Sequence, residues 1–176
     1  MKMKQKMRTS DVQEITTTTA FYTSPIGIIR LEATKEALTV VSFCEDETLP
    51  VTIQTHHPIL KDAVQQLEEY FKGTRMRFEL PLAPQGTAFQ QSVWNELLKI
   101  EYGTTATYLH MAKRLGNVKN IRAAASANGK NPIGIIIPCH RVVGADGKLT
   151  GYAGGLHRKQ WLLEHEAKHA GVPLLF

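Results

Sequence analysis

Short apolar runs mark the first half of the chain. The runs at 27–32 and 37–43 are rich in Ile, Leu, Val and Thr and predict β-strands, and 51–53 is a weaker candidate. The segment 76–82 predicts one more strand. This half is therefore expected to contain a small sheet.

One helix is predicted between the weak candidate at 51–53 and the segment 76–82. Its apolar positions follow Pro58 at helical spacing, and Gly73 is placed to end it. These positions are Leu60, Ala63, Val64, Leu67, Tyr70 and Phe71. No combination of catalytic residue types occurs in this half, which predicts a mainly structural role.

A turn-rich stretch separates the two halves. Pro81, Pro84, Gln85 and Gly86 interrupt the apolar periodicity, as linkers between domains do. We therefore predict a structural domain at 1–85 and a second domain at 86–176 that carries the chemistry.

The second half opens with a helix start signal. Thr87 can cap the helix and Gln90 can complete a capping box. The apolar stripe of this helix consists of Phe89, Val93, Leu97 and Ile100, with Trp94 beside it as a core residue.

A helix-turn-helix follows. A short helix is predicted at 108–115, Gly116 ends it, and a second helix is predicted at 120–128. In the second helix Arg122 is followed by small residues, so one cation projects from a nearly bare surface. Such a surface suits shallow docking on DNA with Arg122 inserted into the base stack, although an alanine-rich helix also packs well in a protein core.

Composition limits the function classes. The chain has 176 residues, 43% of them apolar, which suits one ordinary or two small domains. No apolar stretch approaches the roughly 20 residues of a membrane span, so we expect a cytoplasmic protein that does not bind membranes. Two cysteines, Cys44 and Cys139, exclude a disulfide scaffold and a structural zinc cluster.

Charge is distributed unevenly. Residues 1–85 carry 10 Lys and Arg against 11 Asp and Glu, whereas residues 86–176 carry 11 against five. The second half therefore has a net charge of +6, which suits a polyanionic partner but does not require one.

The most informative motif is Pro138 to Val142, which places Cys139 beside His140 after an apolar run. A thiolate is the nucleophilic form of cysteine, and a neighbouring imidazole can promote its formation. The motif thus predicts a reactive thiol.

With its flanking motifs, the stretch 86–166 resembles the O6-alkylguanine-DNA alkyltransferases, also called methylated-DNA-protein-cysteine methyltransferases. The first half resembles them more loosely, through Ser24 to Gly27 and 67–73. The motifs of the second half are Gly86 to Phe89, Val93-Trp94, Tyr102-Gly103, Arg122-Ala123, Asn131-Pro132, Pro138 to Val142, and Gly151 to Leu156 with Lys159, Trp161 and Glu166.

The resemblance implies an α+β fold. It has an N-terminal ribonuclease H-like sheet-and-helix domain and a C-terminal, mainly helical, winged-helix-like domain with the helix-turn-helix. It also implies a monomer without cofactor or metal that removes the alkyl group of O6-alkylguanine in double-stranded DNA. The acceptor would be Cys139, and each molecule would act once because water does not cleave an alkyl thioether.

The resemblance also implies catalytic roles. His140, linked through water to Glu166, would draw the proton from Cys139, and Tyr108 would supply a proton or hydrogen bond to the departing guanine.

Further roles concern DNA and the base. Because the lesion must be rotated out of the duplex, Arg122 would fill the gap while the helix bearing Ala123 and Ala127 docks in the minor groove. Tyr108 would crowd the phosphate, and Asn131 would tie the helix-turn-helix to the active-site loop. Backbone groups at Val142 and Ala153 would bind guanine, with Tyr152 as a wall.

Three positions depart from the family pattern. Glu101 and Val118 replace common prolines and Ser126 replaces a glycine, none of them at the proposed chemistry. Two other functions stay open at this point: a damage sensor or helix-turn-helix regulator without chemistry, and a cysteine hydrolase that turns over and needs an oxyanion hole.

Overall fold

The N-terminal half is a three-stranded antiparallel sheet with one helix packed on it. The structure is a computed structural model that describes residues 16–45 and 55–174. Strands β1 (Thr18–Ser24), β2 (Gly27–Ala33) and β3 (Leu38–Phe43) form a meander in the order β1-β2-β3. Helix α1 (Pro58–Phe71) packs on the sheet and buries Leu60, Leu67 and Tyr70 in the core.

The C-terminal half is mainly helical. Its elements are α2 (Ala88–Leu97), β4 (Ala106–Thr107), α3 (Tyr108–Arg114), α4 (Ile121–Gly129), β5 (Val142–Val143) and α5 (Leu156–Ala170). Strands β4 and β5 pair in parallel, and a 3-10 turn, Val118–Asn120, lies between α3 and α4. The predicted α+β fold class is confirmed.

Several local predictions hold. Thr87 and Gln90 form the predicted capping box of α2, and Val93 and Trp94 are buried in the core. Gly73 follows α1 at φ +75, and Gly116 follows α3 at φ +84. Both glycines end a helix in the left-handed conformation that other residues rarely adopt.

The predicted strand at 76–82 is wrong. Only an isolated bridge joins Leu82 to Leu38, where the Leu38 amide donates to the Pro81 carbonyl at 2.8 Å. Pro81 and Pro84 have no amide hydrogen to donate, so a continuous ladder cannot form there. The weaker candidate at 51–53 lies outside the described residues.

Two other features differ from the sequence prediction. The apolar pattern does not predict strand β1, because the strand begins with polar threonines. In the structure, all of its residues pair with β2. Phe89 belongs to the predicted buried stripe but is 36% exposed, because it lies in the first turn of α2 at the surface.

Backbone hydrogen bonds cross from the first half to the second. The Val41 amide donates to the Pro132 carbonyl at 2.9 Å, and the Gly134 amide donates to the Val41 carbonyl at 2.8 Å. The edge of β3 is thereby joined to the segment that leads into Cys139. The division at residue 85 stays a prediction.

Candidate active site

Cys139 opens a single 3-10 turn, Cys139–Arg141, and its side chain is buried. The preceding loop is held by Asn131, whose side-chain amide donates to the Ile137 carbonyl at 2.8 Å and accepts from the Ile133 amide at 3.0 Å. Within this loop Ile135 has φ +67, a strained conformation for a β-branched residue. The loop is therefore held in one shape by its surroundings.

The Glu166 carboxylate is the centre of a buried hydrogen-bond network at the site. It is fully buried and comes from the inner face of α5. Arg141 binds both of its oxygens, with Nε to Oε2 at 2.9 Å and Nη2 to Oε1 at 3.0 Å. Gly103 donates its amide to Oε2 at 3.1 Å, and the Tyr70 hydroxyl donates to Oε1 at 2.8 Å.

His140 contacts this carboxylate directly. Its Nε2 lies 2.9 Å from Glu166 Oε1, so no water separates the two side chains as the resemblance had implied. Burial alone would raise the pKa of Glu166, but His140 and Arg141 outweigh it and hold the pKa well below its usual range. An ionised carboxylate accepts from Nε2–H, so the basic nitrogen of neutral His140 is Nδ1.

The other nitrogen of His140 is open. Nδ1 is buried and has no hydrogen-bond partner among the described residues. Burial lowers the pKa of His140, against the opposing effect of Glu166, so the ring is neutral near pH 7. The arrangement supplies a base with one nitrogen anchored and one free to accept a proton.

The thiol itself is protonated at rest. Burial raises the pKa of Cys139, while the Asn131 amide and the charge of Lys159 act in the opposite direction. Adjacency to His140 in sequence therefore does not by itself create a thiolate. A base is needed at the moment of reaction.

Lys159 is a buried cation beside the thiol. Its Nζ donates to the carbonyls of Val142 at 2.6 Å and Thr150 at 2.7 Å. Burial lowers the pKa of Lys159 to about 8, against the opposing effect of Cys139. Lys159 thus joins the segment after Cys139 to the loop that follows it, and its charge favours a thiolate.

Tyr108 is the first residue of α3 and is half-buried near Cys139. Burial raises the pKa of Tyr108, so its hydroxyl keeps its proton and can donate it. Asn128, buried on α4, donates to the Cys139 carbonyl at 3.4 Å. Tyr108 therefore lies close enough to Cys139 for the two side chains to influence each other electrostatically.

The loop 151–155 brings Tyr152 against His140. The Tyr152 ring meets His140 edge-on with centroids 6.5 Å apart, and burial raises the pKa of Tyr152 well above its usual range. Ala153 is exposed, whereas Val142 is fully buried and pairs with Ala106. A Cβ at Gly154 would lie 2.7 Å from Phe43 and 2.8 Å from Tyr152, so any larger residue there would force these two rings to shift.

The predicted DNA-contacting residues divide into two groups. Arg122 and Ala123 are exposed on α4, as docking requires. Ala127 is buried, and its carbonyl accepts from Trp94 Nε1 at 2.9 Å. Ala127 therefore packs against α2 and is not exposed for DNA contact, although it lies about one turn beyond the exposed Ala123.

Sequence reasoning gave no site role to four residues that the structure brings to the site. They are Lys159, Arg141, Asn128 and Tyr70. A signal existed for Lys159, because it lies on one helical stripe with Leu162, Leu163 and Glu166, and charged residues on a buried stripe need partners. Tyr70 carried no such signal, since it falls on the apolar face of α1.

No group of three metal-ligating side chains occurs within 16–45 and 55–174. In the same described ranges, no helix is both long and apolar enough to cross a membrane.

Two family models match the chain. The model described as "6-O-methylguanine DNA methyltransferase, DNA binding domain" matches residues 88–168, and the model of the family's ribonuclease-like domain matches residues 18–84. The match thus extends over both halves.

Relatives and solved structures agree. A methylated-DNA–protein-cysteine methyltransferase of Methanosarcina acetivorans is 48% identical over 150 residues, covering 84% of this chain and 96% of the relative. One of Mycobacterium tuberculosis is 46% identical over 153 residues, covering 86% and 93%. The crystal structure of the M. tuberculosis O6-methylguanine methyltransferase has a TM-score of 0.78 at 42% identity, covering 88% and 94%. A structure of the M. tuberculosis protein in complex with DNA has a TM-score of 0.77 at 42% identity, with the same coverage.

Proposed function

Because the chain belongs to the 6-O-methylguanine DNA methyltransferase family, we propose that it repairs O6-alkylguanine in double-stranded DNA by transferring the alkyl group to Cys139. The observation that carries this proposal is the buried Cys139 thiol beside His140, whose Nε2 is bound to Glu166 and whose Nδ1 is open. Arg122 and Ala123, exposed on α4, support DNA as the partner.

The reaction follows from this geometry. His140 Nδ1 accepts the proton of Cys139, and the sulfur attacks the saturated alkyl carbon. The S–C bond forms as the bond from carbon to guanine O6 breaks, and the electron pair stays with guanine. Tyr108 supplies a proton or hydrogen bond to the guanine ring, which makes guanine a better leaving group. The products are guanine in DNA and an S-alkyl cysteine.

A second part of the proposal concerns access to the base. The lesion leaves the duplex at a cost of about a few kcal/mol, which weakened pairing reduces. Arg122 fills the gap, and Tyr152, Ala153 and Val142 surround the flipped base. Asn131 holds the loop before Cys139, and its bond to the Ile137 carbonyl supports that role.

The protein is proposed to act as a monomer and once per molecule. All the side chains of the proposed chemistry come from one chain, which supports the first point. An alkyl thioether has no acyl carbon for water to attack, which supports the second.

The test is mass spectrometry after mixing the protein with equimolar duplex DNA containing one O6-methylguanine. We expect one added methyl group on Cys139, restored guanine in the DNA, and no reaction with further substrate. The variant Cys139→Ser should bind the same DNA without gaining a methyl group.

Other outcomes identify the alternatives. DNA binding without methylation of Cys139 would contradict the proposal and favour a damage sensor. Repeated turnover on an acyl substrate would favour a cysteine hydrolase. Sedimentation of the protein alone would reveal a dimer if the monomer proposal is wrong.

A further inference from the structure

Tyr70 reaches the catalytic carboxylate from the N-terminal half. Its side chain is fully buried on α1, and its hydroxyl donates to Glu166 Oε1 at 2.8 Å across 96 residues of sequence. The proposed reaction assigns no task to this hydroxyl. A phenyl ring alone would fill the same core volume, so the hydroxyl calls for a separate explanation.

The oxygen that Tyr70 binds is the one that also holds His140. Glu166 Oε1 accepts from the Tyr70 hydroxyl, from His140 Nε2 and from Arg141 Nη2. Among the residues that the structure describes, Oε2 accepts only from Arg141 Nε and the Gly103 amide. Donors that share one oxygen compete for its electron density, so Tyr70 weakens the attraction between Oε1 and the imidazole.

This competition acts on the protonation of His140. A carboxylate stabilises imidazolium more than neutral imidazole, so a stronger Glu166 acceptor makes His140 more basic. If His140 were protonated at rest, it could not accept the Cys139 proton. The Tyr70 hydroxyl thus favours the neutral ring that the reaction needs.

We propose that Tyr70 is a positioning residue for the alkyl transfer proposed above, holding Glu166 in place and keeping His140 neutral by sharing Oε1 with it. The inference rests on the proposed function for its catalytic consequence, while the coupling of Tyr70 to His140 can be measured without DNA. The N-terminal half then contributes to the chemistry as well as to the fold.

Other charged and titratable groups surround Tyr70 and His140. They are Arg141 and Cys139 on the 3-10 turn, Lys159 and His165 on α5, Tyr102 in the loop before β4, and Tyr152 in the loop before α5. All of them remain when only the Tyr70 hydroxyl is removed, so a change in His140 can be attributed to that hydroxyl.

The test compares two phenol-to-phenyl variants. Tyr70→Phe removes the hydroxyl on Glu166. Tyr102→Phe is the matched control, because the Tyr102 hydroxyl is buried without a hydrogen-bond partner in the described part of the chain and its ring packs edge-on to Tyr70 at 6.0 Å. Both changes keep an aromatic ring in the same cluster.

Two readouts separate positioning from simple stability. One is the pH dependence of the single-turnover methyl-transfer rate, and the other is NMR titration of the His140 ring. In Tyr70→Phe we expect the pKa of His140, and with it the acid limb of the pH–rate profile, to move to higher pH by about half a unit. At pH values below this pKa, the transfer rate should therefore fall about threefold. Tyr102→Phe should match the wild type.

A second substitution tests the opposite direction. 3-Fluorotyrosine placed only at position 70 is a stronger hydrogen-bond donor of nearly the same size, so the acid limb should move to lower pH. This variant keeps the contact and covers the case in which Tyr70→Phe does not fold.

The outcomes are distinguishable from those of the proposed function. A titration of His140 that is unchanged in Tyr70→Phe, or shifted to lower pH, would overturn the role of Tyr70 even if stability fell. A wild-type protein that transfers no methyl group would refute the proposed function, and the NMR titration would still decide whether Tyr70 controls His140.

Discussion

Cys139 and His140 are neighbours in the chain, yet burial and long-range contacts determine what each can do. Burial raises the pKa of Cys139 and lowers that of His140, so the resting pair is thiol and neutral imidazole. Glu166, 26 residues further on, fixes which nitrogen of His140 is basic. Reactivity at the residue scale therefore depends on groups that come from other elements.

The first prediction concerns pH and stability. Burial lowers the pKa of His140 and of His165 in the fold. Below the ordinary value of about 6.5, the unfolded chain therefore binds protons that the folded chain does not. The contribution of these two histidines to the free energy of unfolding should be fully present above about pH 6.5 and should be lost as pH decreases toward about 5. Urea unfolding at several pH values would measure this loss.

Glu166 contributes in the same direction at lower pH. Its folded pKa is depressed, so its contribution is present above the ordinary value of about 4.5 and is lost as pH falls further. His165→Gln keeps a donor for the Tyr70 carbonyl but does not titrate, so it should flatten the slope between pH 7 and 5. His110→Gln, at an exposed position, should leave the slope unchanged; a slope of opposite sign in the wild type would contradict the prediction.

The second prediction separates charge balance from catalysis. Glu166→Gln leaves Arg141 buried without its carboxylate, which should cost about 3–5 kcal/mol of the free energy of unfolding. It should also reduce the methyl-transfer rate by about 100-fold or more, because His140 loses its ionic anchor.

A double variant provides the control. Glu166→Gln with Arg141→Met removes both charges and should recover part of the stability measured by chemical denaturation. Its transfer rate should stay low. If the rate returned with stability, Glu166 would have only a structural role.

At the scale of elements, α5 connects three parts of the site. Its Glu166 binds His140, its Lys159 binds the Val142 carbonyl after Cys139, and its Arg158 contacts the N-terminal sheet. Arg158 donates from Nε to the Ile26 carbonyl at 2.8 Å and from Nη1 to the Gly154 carbonyl at 3.0 Å. One helix therefore ties the 151–155 loop to the turn between β1 and β2.

The third prediction is that Arg158→Leu loosens this loop. The guanidinium also lies 4.6 Å from the centroid of the Phe43 ring, so the change removes two hydrogen bonds and a cation–π contact. We expect a loss of about 1–2 kcal/mol in unfolding free energy. Amide hydrogen exchange at 151–155 should become faster, as mass spectrometry would show.

Arg30→Leu is the matched control for this change. Arg30 lies at the surface of β2 and pairs with Glu32 at 2.8 Å, and surface pairs contribute about 0–1 kcal/mol. Equal exchange at 151–155 in Arg158→Leu and Arg30→Leu would show that Arg158 does not hold the loop.

At the scale of the whole molecule, the two halves differ in charge but share one core. The positive half carries the exposed face of α4, and β3 is hydrogen-bonded to the segment 132–134 that precedes Cys139. The sheet thus braces the site, while the positive half is the part proposed to contact DNA.

The fourth prediction concerns salt. If the positive half contacts phosphates, the affinity for duplex DNA should fall steeply between about 50 and 200 mM salt, because binding releases counterions. Lys119→Ala, at an exposed position between α3 and α4, should reduce the salt slope by about one unit of charge. Fluorescence anisotropy at several salt concentrations would measure both.

Lys35→Ala supplies the comparison. Lys35 is exposed in the turn between β2 and β3 of the N-terminal half, so its loss should leave the slope unchanged. Affinity that is independent of salt in the wild type would mean that this half does not contact phosphates.

Local signals in the sequence determined many of the elements. Helical spacing determined α1, the capping box determined the start of α2, and Gly116 determined the end of α3, because each depends on side chains a few residues apart. The exposed Arg122 was also evident, since a long cation among alanines needs no tertiary context to be noticed. Strand β1 and the false strand at 76–82 show the limit, because strand formation depends on a partner with free hydrogen-bonding groups.

Only the tertiary structure decided how the site is assembled. Cys139, His140 and Glu166 could be named from the sequence and its family resemblance. The direct bond between His140 and Glu166, the open Nδ1, the protonated thiol and the inward side of Ala127 could not. Tyr70 and Lys159 joined the site through the fold alone, because burial and hydrogen bonding between distant residues arise only when the helices and the sheet pack together.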